Sequence, residues 1–164
     1  MTNGFKLRTT LPAAPRAIYR AWLSGSRHGT MTGAAATASG KREGRFTAWD
    51  GYIWGRNLEL KPHWCIVQSW RTTQFAEGDP DSRLELCIHA KGEGSELLLI
   101  HTEIPSGQVP GYRSGWGKHY FEPMRRYFAA KKSSRKANIK KTGTKSAVRK
   151  PATKKTAKRR STRR

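Results

Sequence analysis

The sequence predicts an α+β fold: a curved antiparallel sheet of six to seven strands around a long C-terminal helix, followed by a separate polycationic tail. Three observations predict it. Short runs of apolar and β-branched residues, broken by Gly-, Pro- and Asp-rich turns, fill residues 34–104. The longest helical stripe comes after them, with Tyr112, Trp116, His119, Tyr120, Met124, Tyr127 and Phe128 mainly at steps of three and four. Beyond it, Lys131–Arg164 holds 16 of the chain's 33 Lys and Arg and none of its 11 Asp and Glu.

Taken in order, residues 5–11 alternate apolar and polar at first and predict an opening strand that Pro12 ends. Pro15 suits a first helical turn, and Ile18, Ala21 and Trp22 give a short amphipathic helix through Leu23. Gly25 and Gly29 interrupt that pattern, with one further turn predicted over 27–31. Strands are predicted at 34–39, 44–49, 53–60, 65–71, 83–90 and 96–104. Their separators, among them Asp50-Gly51, Lys61-Pro62 and Gly92-Glu93-Gly94, are short enough to favour an antiparallel meander. The last helix is predicted from about Pro110 to Ala130, with a kink or break at Pro123.

Residues 1–130 are long enough to bury one core. Residues 131–164 carry only Ile139 and Val148 as sizeable apolar side chains, too few to offset ordering, so a disordered tail is expected there. The N-terminal residues lack the pattern of a secretory signal, and no run of apolar residues reaches membrane-span length. A soluble cytoplasmic protein is the expectation, with nucleoid or chromatin association possible through the tail. Cys65 and Cys87 form no Cys-x-x-Cys pair and are expected as free thiols.

Period-two phasing assigns the strand faces. Ile66, Gln68 and Trp70 share one side, with Leu84, Leu86 and Ile88 beside them and Leu97, Leu99 and His101 in the last strand. Pairing Ile66 with Ile88 would leave the two cysteines diagonal on the outer face, where Leu98 and Ile100 also point. The inward set mixes indoles with hydrogen-bonding tips, as a small-molecule pocket requires. The candidate ligand-binding residues are Gln68, Trp70, Leu86, Leu99, His101, Trp116, His119 and Tyr120. The bland alternative is a solid core whose polar tips pair with neighbours.

Catalytic signatures are absent from the text: no Gly-x-Ser-x-Gly elbow, phosphate loop or dinucleotide fingerprint occurs. The five histidines lack metal-site spacing, so neither metal nor cofactor is expected. No catalytic residue is assigned. An enzyme of hydrolase or cyclase type with His101 or His119 as base stands as the alternative.

Residues 5–130 resemble the family named for the activator of Hsp90 ATPase, part of the START-like helix-grip superfamily. The stretches that carry the resemblance are 28–33, Ala48-Trp49-Asp50-Gly51-Tyr52-Ile53, 55–60, 66–71, Gly115-Trp116 and 119–124. The resemblance implies a helix-grip fold with a cavity between sheet and C-terminal helix. Superfamily members bind lipids, sterols, hormones and polyketides, and a few are cyclases or hydrolases. The two-domain Hsp90 activators carry an additional N-terminal domain that docks on the chaperone. This chain starts with the helix-grip domain, so Hsp90 is not the expected partner.

The tail lies outside the resemblance. Its clusters Lys140, Lys141, Lys154, Lys155, Lys158, Arg159, Arg160, Arg163 and Arg164 are interspersed with Ala, Thr and Ser, like the tails of linker histones. Non-specific association with DNA or RNA is the expectation. With no aromatic residue interleaved, base stacking contributes nothing.

Overall fold

The structure, a computed structural model, describes residues 3–145. Strand β1 (Phe5–Leu11) leads into helices α1 (Pro15–Trp22) and α2 (Gly25–Thr32). Strands β2 (Arg45–Ala48), β3 (Ile53–Lys61), β4 (Cys65–Thr72), β5 (Ser82–Lys91) and β6 (Gly94–Thr102) follow. Helix α3 (Val109–Trp116) passes through a π turn at Gly117–Phe121 into α4 (Glu122–Lys145). One six-stranded sheet has the order β1-β6-β5-β4-β3-β2, every pair antiparallel. The meander is therefore as expected, with β1 added at the β6 edge.

Alternation gives the sheet its inner face. Leu84, Leu86, Ile88, Leu97, Leu99 and His101 are all buried, as are Ile66, Gln68 and Trp70. They meet Ile18, Trp22, Tyr112, Trp116, Tyr120, Met124 and Phe128 from the helices, forming one core. Gly55 sits where a Cβ would collide with the Ser69 carbonyl oxygen, so this glycine serves close strand approach. The register irregularity of β3 falls instead between Asn57 and Glu59.

Five expectations need correction. Residues 34–39 form no strand; a single bridge joins Thr37 to Thr47. Asp50 takes both backbone groups of Ala35: its N–H donates to the Ala35 carbonyl (3.0 Å) and its Oδ1 accepts from the Ala35 N–H (2.9 Å). A ladder through Ala35 is thereby pre-empted. The β4–β5 pairing is offset by two residues from the one inferred, with Ile66 opposite Leu86 and Gln68 opposite Leu84. A two-residue offset keeps every face but brings Cys65 directly opposite Cys87, Cα atoms 4.2 Å apart, and the pair forms a disulfide rather than free thiols.

The break in the last helix lies one turn before Pro123. The Glu122 N–H bonds back to the Gly117 carbonyl across the π turn, and Pro123 then occupies the first turn of α4, where a missing N–H is tolerated. Finally, α4 does not stop near Ala130. It runs to Lys145, through residues that are almost all exposed up to Lys141. Ala, Lys and Arg are good helix formers, and a helix nucleated by the buried Met124 and Phe128 propagates through them. Lys154, Lys155, Lys158, Arg159, Arg160, Arg163 and Arg164 lie outside the described residues.

Candidate functional site

A cavity of about 650 Å³ opens between α3, the π turn and the β2–β4 end of the sheet. That volume lies within the ordinary range for small-molecule sites. Trp70 on β4 and Trp116 and Tyr120 on the helix supply ring surface, and His119 stands at the exposed rim. These four were expected to meet there. Gln68, Leu86, Leu99 and His101 are not on the cavity wall; they are core residues sealed behind it. The remaining wall comes from Trp49, Tyr52 and Ile53, from Tyr112 and three glycines, and from Gln74 and Gln108 near the mouth.

The β2–β3 turn explains how Trp49 reaches the site. Trp49 (φ 53°), Asp50 (φ 57°) and Gly51 (φ 86°) are consecutive left-handed residues. A bulky side chain in that region costs about 1–3 kcal/mol. The paired Asp50–Ala35 hydrogen bonds and the Tyr52 N–H to Trp49 carbonyl bond (3.0 Å) hold the turn against that cost. The outcome is an indole laid across the rim, edge-on to His119 with ring centroids 5.4 Å apart. Period-two phasing cannot follow a chain through such a turn, so Trp49 and Tyr52 were missed. Their place within the Trp49-Asp50-Gly51-Tyr52 stretch was the signal that could have found them.

The polar groups behind the rings are internally satisfied. Trp116 Nε1 donates to His101 Nδ1 (3.2 Å), so the His101 proton resides on Nε2, 2.8 Å from Ser82 Oγ. Ser82 Oγ in turn donates to the Trp70 carbonyl (2.6 Å). Burial pushes the His101 imidazole down to about 3, so it is held neutral with both nitrogens engaged. Such a ring is a positioning element for Trp116 and has no nitrogen left for proton transfer. Gln68 is similarly committed: Trp22 Nε1 donates to its Oε1 (3.1 Å), and its Nε2 donates to Asn57 Oδ1 (2.8 Å). Asn57 then caps the carbonyls of Ser39 (2.7 Å) and Lys41 (2.9 Å).

A second chain secures Tyr120. His28 Nδ1 donates to the Trp22 carbonyl (3.1 Å), leaving Nε2 to accept from the Tyr120 hydroxyl (3.2 Å). Burial lowers the His28 pKa, against a smaller opposing effect of the Trp22 carbonyl. Burial also raises the Tyr120 phenol, partly offset by the Trp49 indole N–H. Trp49 Nε1 itself is buried without a hydrogen bond of ordinary geometry. At the mouth the Tyr112 hydroxyl donates to Gln108 Oε1 (2.7 Å) and receives from Thr72 Oγ1 (2.7 Å), while Gln108 Nε2 donates to the Gln74 carbonyl (3.2 Å). The arrangement offers apolar ring surface inside and amide groups at the entrance. Among the described residues no group of three or more His, Cys, Asp or Glu could hold a metal ion.

Comparison with known proteins agrees with this architecture. The family model described as "Activator of Hsp90 ATPase homolog 1-like protein" matches residues 12–129. The chain belongs to this family. A human relative, "Activator of 90 kDa heat shock protein ATPase homolog 1", is 30% identical over 122 residues, covering 74% of this chain and 36% of its own length. The Dictyostelium discoideum activator homolog is 22% identical over 129 residues, covering 78% of this chain and 33% of its own length. The chain thus spans about a third of the length of these curated relatives. An HSP90 activator from Plasmodium falciparum superposes with TM-score 0.67 at 21% identity, covering 73% of this chain and 91% of that one. CalU16 from Micromonospora echinospora gives TM-score 0.65 at 19% identity, covering 88% and 87%. These structural likenesses carry the fold, which is the helix-grip architecture the motif stretches implied. No helix among the described residues is long and apolar enough to cross a membrane.

Proposed function

We propose that this chain is a non-enzymatic binding domain that holds an apolar or aromatic small molecule between sheet and C-terminal helix, with a basic segment that associates non-specifically with nucleic acid. The observation that carries the first part is the 650 Å³ cavity faced by Trp70, Trp116 and Tyr120, with His101 behind Trp116 and His28 behind Tyr120 already paired. A site built for proton transfer needs a titratable group with an open nitrogen and a partner that tunes it. His101 has neither exposure nor a spare lone pair, and the exposed His119 has no Asp or Glu beside it among the cavity-lining residues. Native mass spectrometry of freshly purified protein tests this reading. A co-purifying small molecule supports it; a bare polypeptide that also fails to respond to an apolar ligand library contradicts it.

The second part rests on charge. Lys140 and Lys141 are exposed on α4, and the chain beyond them adds further cations with no acidic residue. If about half of the 16 basic side chains after Ala130 meet phosphates, roughly eight counterions are released and log K falls with log salt at a slope near −7. Gel-shift titrations of the full chain and of a chain ending at Ala130 should differ greatly at low salt. Equal affinity would remove the segment's role.

A second reading, stimulation of a chaperone ATPase, is favoured by the 30% identity to a human protein named as an Hsp90 ATPase activator homolog. It is tested by adding the purified chain to Hsp90 and measuring ATP turnover. A rise would support it, and an unchanged rate would leave the binding-domain reading alone in place.

A further inference from the structure

Part of the cavity's helical wall is bare backbone. Gly107, Gly111 and Gly115 recur at intervals of four, and all three line it. Gly107 adopts φ +81° in the turn before α3, so its backbone accounts for it. Gly111 and Gly115 lie within α3, where glycine is a poor choice for helix stability. Nor does packing require them. A Cβ at Gly111 would meet nothing within 4 Å, and one at Gly115 would only touch His119 Cδ2 at 3.8 Å. Both positions expose bare peptide to the cavity, and neither the fold nor its neighbours demand it.

Rings border this bare stretch: Tyr112 and Trp116 belong to α3 itself and Tyr120 to the π turn, while Trp49, Tyr52 and Trp70 come from the sheet side. Trp70 lies 5.0 Å from Tyr112 and 6.0 Å from Trp116, and Trp116 lies 4.6 Å from Tyr120, centroid to centroid. Trp116 and Tyr120 are tilted only 36° from one another. Aromatic surfaces of this kind attract further rings by edge and offset contacts. Bare peptide at Gly111 and Gly115 leaves open the space between α3 and the sheet-side residues Trp49, Tyr52 and Trp70, which side chains at the two positions would narrow.

We propose that Gly111 and Gly115 set the specificity of this cavity by keeping it a slot, and that its ligand is a flat aromatic ring system in preference to a globular aliphatic one. The inference rests on the small-molecule reading of the cavity. A flat molecule would lie against the peptide planes of α3 on one side and against Trp49, Tyr52 and Trp70 on the other. Methyl groups at the two glycines stand in the plane it would occupy.

The test pairs two alcohols of ten carbons each, flat 2-naphthol and globular 1-adamantanol, titrated calorimetrically into the full chain and into Gly111→Ala/Gly115→Ala. The expected result is at least tenfold tighter binding of 2-naphthol than of 1-adamantanol to the natural chain. The double variant should bind 2-naphthol at least tenfold more weakly while its Tm rises by about 4–8 °C, because each alanine strengthens the helix. Equal affinity for the two alcohols, unchanged 2-naphthol binding in the variant, or a fall in Tm would overturn the inference and leave the cavity reading standing. Binding of neither alcohol to the natural chain would overturn both.

Discussion

Replacing His101 with glutamine will remove much of the acid sensitivity of this domain. In the folded chain burial holds His101 down to about 3, whereas an unfolded histidine titrates near 6.5. Between those values the unfolded state carries the extra proton, so stability falls as pH drops from about 6.5 toward 3 and is complete above that window. The full slope is about 1.4 kcal/mol per pH unit, and integrating from pH 7 to pH 5 gives a loss of about 2 kcal/mol from this ring alone. His28, also lowered by burial, adds in the same direction. Glutamine retains one acceptor for Trp116 Nε1 and one donor for Ser82 Oγ, so the variant keeps the hydrogen-bond chain without the titration. Urea unfolding at pH 7 and pH 5 measures the difference while most carboxylates stay ionised. The loss between the two pH values should be smaller in His101→Gln by about 2 kcal/mol. An equal loss in both proteins would refute the assignment of His101 as a sealed, neutral ring.

Two other outcomes follow from particular contacts. Asp50→Ala removes the acceptor for the Ala35 N–H at a turn already carrying three left-handed residues. A loss of about 1–2 kcal/mol and weaker ligand binding are expected, checked by urea unfolding and calorimetry; an unchanged affinity would show that the Trp49 turn does not shape the cavity. The Cys65–Cys87 disulfide closes a loop of 22 residues. Its reduction should lower stability by about 3 kcal/mol on the chain-entropy model, seen as a shifted midpoint with and without dithiothreitol. Alkylation of both thiols in unreduced protein would contradict the bridge.

Much of this fold was readable from alternation. Where each residue lies in ordinary extended or helical backbone, as in Leu84–Ile88 or Leu97–His101, period-two phasing named the buried face correctly. The helical stripe Trp116–Tyr120 pointed to one wall of the cavity for the same reason. What phasing could not show was distance. It placed His101 and Gln68 inward, which they are, but it could not distinguish the lining of a cavity from the core behind it. That distinction depends on which partners the polar tips find, and Ser82, Trp22 and Asn57 lie 19, 46 and 11 residues away in sequence. The cysteines illustrate the same limit, since two registers differing by two residues present identical faces. The left-handed turn at Trp49 was hidden for another reason: nothing in a tryptophan's chemistry announces a positive φ. The helix past Ala130 lacks apolar contacts, but eight of residues 131–145 are Ala, Lys or Arg, and they extend a helix already nucleated at Met124 and Phe128.

The six tryptophans offer the most direct test of the cavity. Trp49, Trp70 and Trp116 line it, while Trp54 and Trp64 stand on the exterior, 38% and 51% exposed. Indole N–H resonances followed by two-dimensional NMR during titration with 2-naphthol will report which group meets the ligand. The account predicts that the signals of Trp49, Trp70 and Trp116 move together while those of Trp54 and Trp64 stay in place. Shifts confined to Trp54 and Trp64, or no shift at any of the six, would contradict it.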